Sequence, residues 1–325
     1  MAVKKTAAAK TKSVKAAPPK MYDTREPRNR KLTRKDVQKA ADRYKNWGRW
    51  GPNDQLGAAN LVTEAKRRQA AGLAKTGLTV SLAHNPLTES AEDNASPFEH
   101  TMNRGFTTDT YRVSYHGYAH SHLDALCHIL YKDQTYNGYA RADVNTEKGC
   151  AKLSIDNLKQ GIVTRGVLLD IPRLKGVPYL EPGTAVYQED VEAWEKQARV
   201  KVGPGDAVLL RTGRWARREK TGPWAVGQSA AGFHASIATW LRARDVAFAG
   251  SDAASEVMPS GVAGVNLPVH TLMITALGIN ILDNQDLEGL AEIAARLKRW
   301  EFELVINPVP VIGGTGSPLN TLAIF

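Results

Sequence analysis

Four β-rich runs, GIVTRGVLLDIP, DAVLLRTG, DVAFAGSD and FELVINPVPV, alternate with three helical patterns, EDVEAWEKQARV, AAGFHASIATWLRARD and DLEGLAEIAARLKRW. This alternation leaves few options. Strands that read as near-continuous apolar runs need cover on both faces, and the intervening helices supply it. The sequence therefore predicts an α/β protein, a compact single domain with a mixed β-sheet or barrel-like β core flanked by helices, over residues 36–325. Helical spacing starts near Asp36 in DVQKAADRYKNW. Thr63 reads as the N-cap of EAKRRQAAGLAKTG, with Gly77 closing that segment. LTVSLAHNPL alternates like a strand, and YRVSYHGYAHSHLDALCHILY begins as a β run with histidines on its exit.

The net charge of +10 suggests a nucleic-acid partner until it is located. Residues 1–35 hold twelve Lys/Arg against two acids, Asp23 and Glu26, so the tail carries the whole excess. Its Lys/Ala/Pro-rich composition predicts a disordered basic tail able to attract polyanions only non-specifically. No apolar run nears the ~20 residues of a membrane span, and the start lacks an apolar leader core, which predicts a cytoplasmic protein. Cys127 and Cys150 are too few for a disulfide scaffold. Cys127 reads as a small apolar filler.

Four of the eight histidines fall within HGYAHSHLDALCH, residues 116–128, together with an aspartate. Period-two alternation along a strand would put His120, His122 and Asp124 on one side. His128, one helical turn beyond Asp124, would face the same spot. Imidazole and carboxylate donors suit a divalent metal such as zinc or manganese, and a metal makes water a usable nucleophile near neutral pH. A lone histidine is usually a satisfied polar residue; four in thirteen positions predict a metal or catalytic site.

HSHLDALCH also resembles the H-x-D-x-x-x-H signature of the metal-dependent cyclase-like hydrolases, the family of kynurenine formamidase and isatin hydrolase. WGPNDQLGAANLVT, GDAVLLRTG, GSDAASEVMPS, LPVH, LGINILDNQDLEGLA and PVPVIGGTGSP follow in that family's order, over about residues 47–325. The resemblance implies one or two Zn²⁺ or Mn²⁺ ions, a homo-oligomer (dimer or tetramer), and hydrolysis of an amide, cyclic amide or ester bond in a small-molecule substrate. Carried over by position, His122 and Asp124 match metal ligands, His128 the catalytic histidine, His270 a further ligand, and Asp283 a position commonly held by Glu. The chain departs from the pattern at Tyr118, where a ligand histidine is usual; His116 or His120 would substitute. The interval from His270 to Asp283 is also one residue longer than the pattern, which marks a divergent subgroup.

Other residues carry weaker expectations. Tyr118, Trp47, Trp50 and Phe106 would wall a substrate pocket. Ser251, Asp252 and Glu256 lie at a strand exit, where function often sits. The loop GGTGSP at 313–318 lacks the Lys-Ser/Thr of a phosphate loop; the family resemblance implies a tight loop near the site, with ordinary turn duty the alternative. TGRWARREK at 212–220 reads as a solvated cationic face. Two alternatives to hydrolysis stay open: a lyase or cyclase that moves protons at the same site, and a binding protein with a degraded ligand set.

Overall fold

The computed structural model describes residues 30–325. The expected basic tail therefore lies outside the described residues up to position 29. The first helix, Arg34–Tyr44, starts where Thr33 caps it: the Thr33 hydroxyl accepts from the Asp36 N–H while Asp36 reaches back to the Thr33 N–H.

Nine strands form one mixed sheet that curls into a half-barrel flanked by helices. Across the sheet the order is Thr79–Ser81, Leu322–Ile324, Glu301–Ile306, Ile162–Asp170, Ala207–Arg211, Phe248–Ser251, Asn280–Asp283, His122–Asp124 and Gly316–Pro318. The four strands from Ile162–Asp170 to Asn280–Asp283 run parallel, and the remaining pairs are antiparallel. The parallel strands are the buried apolar runs, as two-sided cover requires. Helices Gln188–Ala198, Ile237–Arg244 and Glu288–Leu297 lie in the connections between successive sheet strands.

Thr63 caps its helix as expected, accepting from the Lys66 N–H, but that helix ends at Ala71 with Gly72 as its C-cap rather than at Gly77. The strand in LTVSLAHNPL is only Thr79–Ser81. TGRWARREK forms the helix Arg214–Thr221, and its cations are engaged: Arg214 is buried, and it and Arg218 both contact Asp93 at 3.0 and 2.7 Å. Asp252 receives the Thr212, Gly213 and Arg214 N–H groups at that helix start, which gives it a structural task. Among the described residues no helix is long and apolar enough to cross a membrane.

The motif strand His122–Asp124 lies between two partners. Asp283 is paired opposite His122 and Gly316 opposite Asp124. Leu123 points to the core and is fully buried, so His122 and Asp124 share the other face. Gly316 is needed there, because a Cβ would meet the Leu123 carbonyl oxygen at 2.5 Å and the His116 ring at 3.1 Å.

Candidate metal and catalytic centre

Three imidazoles converge on one oxygen. Nδ1 of His116, Nε2 of His122 and Nε2 of His128 lie 3.1, 3.4 and 4.0 Å from Oδ1 of Asp124. That oxygen is buried and takes no aligned hydrogen bond, and neither does His116 Nδ1. The other oxygen, Oδ2, lies 3.7 Å from Nε2 of His270, which is itself 3.2 Å from Oδ2 of Asp283. Two donor groups result, His116–His122–Asp124 and Asp124–His270–Asp283, with Asp124 common to both. Each could hold a metal ion.

The sequence folds this way for local reasons. The ring of His122 is fixed by Nδ1 against the His120 carbonyl at 2.8 Å, which leaves Nε2 for Asp124. Asn284 donates to the Gly117 and His120 carbonyls, Ser121 donates to the Asn284 carbonyl, and Asn280 donates to the Asp124 carbonyl. His116 Nε2 contacts the Thr315 hydroxyl at 2.9 Å, which turns Nδ1 toward Asp124. His128 stacks flat on His116 with ring centroids 3.8 Å apart. It gets there through a turn, its N–H donating to the Ala125 carbonyl, not through the expected helix.

Charge follows the geometry. Burial disfavours the Asp124 carboxylate, yet His116, His122 and His128 beside it hold its pKa well below the usual value. His270 is buried as well, but Asp283 and Glu256 raise its pKa well above the ordinary range. His128 differs, for burial lowers it to about 4 despite the pull of Asp124. It is a neutral base at pH 7.

The expected residues separate cleanly. His116, His122, Asp124, His128, His270 and Asp283 come together. His120 does not. The strand begins only at His122, so alternation fails to reach it; its Nε2 contacts the Ser96 carbonyl at 3.4 Å and its ring meets Phe98 edge-on. Tyr118 lines the cavity of about 330 Å³ that also exposes His116, and Gly227 leaves its ring room, since a Cβ there would lie 2.7 Å away. A second cavity, of about 680 Å³, shares Tyr118, Gly227 and Gln228 and is otherwise walled by residues 258–267. Trp47, Trp50 and Phe106 line neither cavity. Trp47 donates to the Thr275 carbonyl, Trp50 packs beneath Arg49, and Phe106 is 80% exposed at a hairpin tip. A separate groove of about 240 Å³, beside the first helix, holds none of the clustered imidazoles.

Thr315, which meets His116 Nε2 at 2.9 Å, is a contributor that nothing in the local sequence marks. Glu256, noted only as one acid at a strand exit, is fully buried and accepts the His270 N–H at 2.7 Å.

The family described as "Putative cyclase" matches residues 74–256, more than half of the chain. The chain belongs to the cyclase family. The crystal structure of a novel cyclase is 30% identical and superposes with a TM-score of 0.78, covering 88% of this chain and 99% of that one. Isatin hydrolase A from Ralstonia solanacearum is 20% identical with a TM-score of 0.53, covering 79% of this chain and 95% of its own. An isatin hydrolase bound to the product analogue thioisatinate gives 17% and 0.52, covering 81% and 99%. The last two share the cyclase-family fold. No curated protein sequence matches.

Proposed function

We propose that this cyclase-family protein is a metal-dependent hydrolase of an amide, cyclic amide or ester bond in a small molecule. The observation that carries the reading is the crowding of three imidazole nitrogens within 3.1 to 4.0 Å of an Asp124 oxygen that no hydrogen bond satisfies. Buried polar atoms are normally paired, and a cation among these donors would pair them. The donor set fits zinc or manganese: only imidazole nitrogen and carboxylate oxygen are offered, with no thiolate.

His116, His122 and Asp124 would hold one ion, and His270 and Asp283 with the shared Asp124 a second. Such an ion, when bound, polarises a carbonyl and eases deprotonation of water. His128 would supply the proton traffic. Its neutral ring takes a proton from the attacking water at Nε2 and returns it to the departing nitrogen or oxygen. Asp124, 4.0 Å away, steadies the charged ring between these steps. Tyr118 sits at the junction of the two cavities, where it would orient the substrate. Two fold neighbours are isatin hydrolases, and isatin contains a cyclic amide, one member of this substrate class.

The test is product analysis in water enriched in heavy oxygen, over a panel of formamides, cyclic imides and lactones. One solvent oxygen in the product is expected. Turnover without it would mean that the site moves protons without hydrolysis.

A further inference from the structure

His270 divides its two ring nitrogens between different partners. Nε2 faces Asp283 and Asp124, at 3.2 and 3.7 Å, while Nδ1 faces Oε1 of Glu256 at 3.5 Å. The same Oε1 accepts the His270 backbone N–H at 2.7 Å. One residue earlier, the Ser255 hydroxyl donates to Oδ1 of Asp283 at 2.7 Å. Adjacent residues therefore grip both members of the His270–Asp283 pair from the side away from Asp124.

This dipeptide is rigidly mounted. Ser255 and Glu256 are both fully buried. Ser255 takes a left-handed backbone conformation, φ 58°, unusual for a residue with a side chain. Its N–H donates to the Ser251 hydroxyl, and its carbonyl accepts from Phe233. Gly232 lets the backbones meet, since a Cβ there would lie 2.3 Å from the Glu256 carbonyl group. Oε2 of Glu256 and Nδ1 of His270 are both buried without an aligned hydrogen bond, the 3.5 Å approach of Nδ1 to Oε1 being an ion-pair contact. Fold stability alone would not favour an unsatisfied buried carboxyl oxygen, because leaving it unpaired carries a desolvation cost. A carboxylate behind a ligand imidazole fixes its tautomer and raises its basicity toward a cation.

We propose that Ser255 and Glu256 are positioning residues that set the affinity of the His270–Asp283–Asp124 group for a divalent cation. The inference rests on the metal-dependent reading above. With a cation bound, Glu256 beside Nδ1 would keep the imidazole proton on that side and leave Nε2 for the ion, and Ser255 fixes which Asp283 oxygen is free.

The experiment is a zinc titration of the metal-free full-length protein against a chromophoric chelator, for wild type, Glu256→Gln and Ser255→Ala, with thermal unfolding of the same metal-free samples. Glu256→Gln should bind Zn²⁺ roughly 10–100-fold more weakly, the range for losing such an outer partner. Ser255→Ala should shift in the same direction and carries the test if Glu256→Gln does not fold. Variants that bind zinc within about twofold of wild type would overturn the proposal, whatever their melting temperatures. A wild type that binds neither Zn²⁺ nor, in a parallel titration, Mn²⁺ would instead defeat the metal-dependent reading itself.

Discussion

Asp283 and His122 stand directly opposite each other across the antiparallel ladder that joins Asn280–Asp283 to His122–Asp124. This pairing delivers a carboxylate from a late segment to the histidine motif. It depends on register, since a slip of one residue would turn His122 and Asp124 into the core and bring Leu123 to the site. Leu282 beside Leu123, both fully buried, holds that register. The site is thus a property of the sheet as much as of the motif.

His116 and His120 flank Tyr118 and look equivalent in sequence, yet they occupy different places. His116 lies 3.1 Å from Asp124 and His120 contacts the Ser96 carbonyl. His116→Ala should therefore lose bound metal, and His120→Ala should keep it. Elemental analysis of the two purified variants checks this. Equal metal content would contradict the assignment of His116 to the first donor group.

His128 is assigned to proton transfer and not to metal binding. Removing a general acid–base group slows turnover by about 10²–10⁴-fold. His128→Ala should show that loss on whichever formamide, imide or lactone the wild type hydrolyses, with metal content unchanged. Steady-state kinetics beside metal analysis reads both, and a variant that loses metal along with activity would make His128 a ligand instead.

The same ring predicts a pH effect on stability. Burial lowers the His128 pKa from 6.5 to about 4 in the folded chain. Below pH 6.5 the unfolded chain takes up a proton that the folded one refuses, so this contribution is present above 6.5 and lost as pH falls through about 4. In metal-free protein, wild type should lose more stability than His128→Gln on going from pH 7 to pH 5. Urea midpoints at both values measure this, and equal losses would count against a buried neutral ring.

Much of this was legible in the sequence, for identifiable reasons. The parallel core follows from apolar runs such as VLLD and AVLL, which only two-sided cover explains. Period-two alternation put His122 and Asp124 on one face, and they share it. The same rule misplaced His120, because the strand is three residues long and the stretch before it is irregular. Nothing local in the chain reveals that Thr315 would turn His116, or that Glu256 would sit behind His270. Those contacts are made by tertiary packing between distant loops. Phe106, read as a pocket wall, belongs to an exposed hairpin that a sequence pattern does not place.

Away from the site, stability rests on a buried charge triad. Asp206, fully buried, lies 2.7 Å from Lys66 Nζ and 2.7 Å from Arg165 Nη2 and also accepts the Gly203 N–H. Asp206→Ala leaves the part-buried Lys66 without its carboxylate, while Arg165 keeps Glu301 at 2.7 Å, and should cost about 3 kcal/mol. Denaturant midpoints would show it, while a change below about 1 kcal/mol would mean that the pair behaves as an exposed one.

The central claim is that the donors around Asp124 gather a divalent cation. Its most direct measurement is the metal content of full-length protein by plasma emission spectroscopy, before and after dialysis against a chelator, with Asp124→Ala alongside. The account predicts zinc or manganese at one or two equivalents in the wild type, activity lost with the chelator and restored by the ion, and no bound metal in Asp124→Ala. Full activity in chelated, metal-free protein would contradict it.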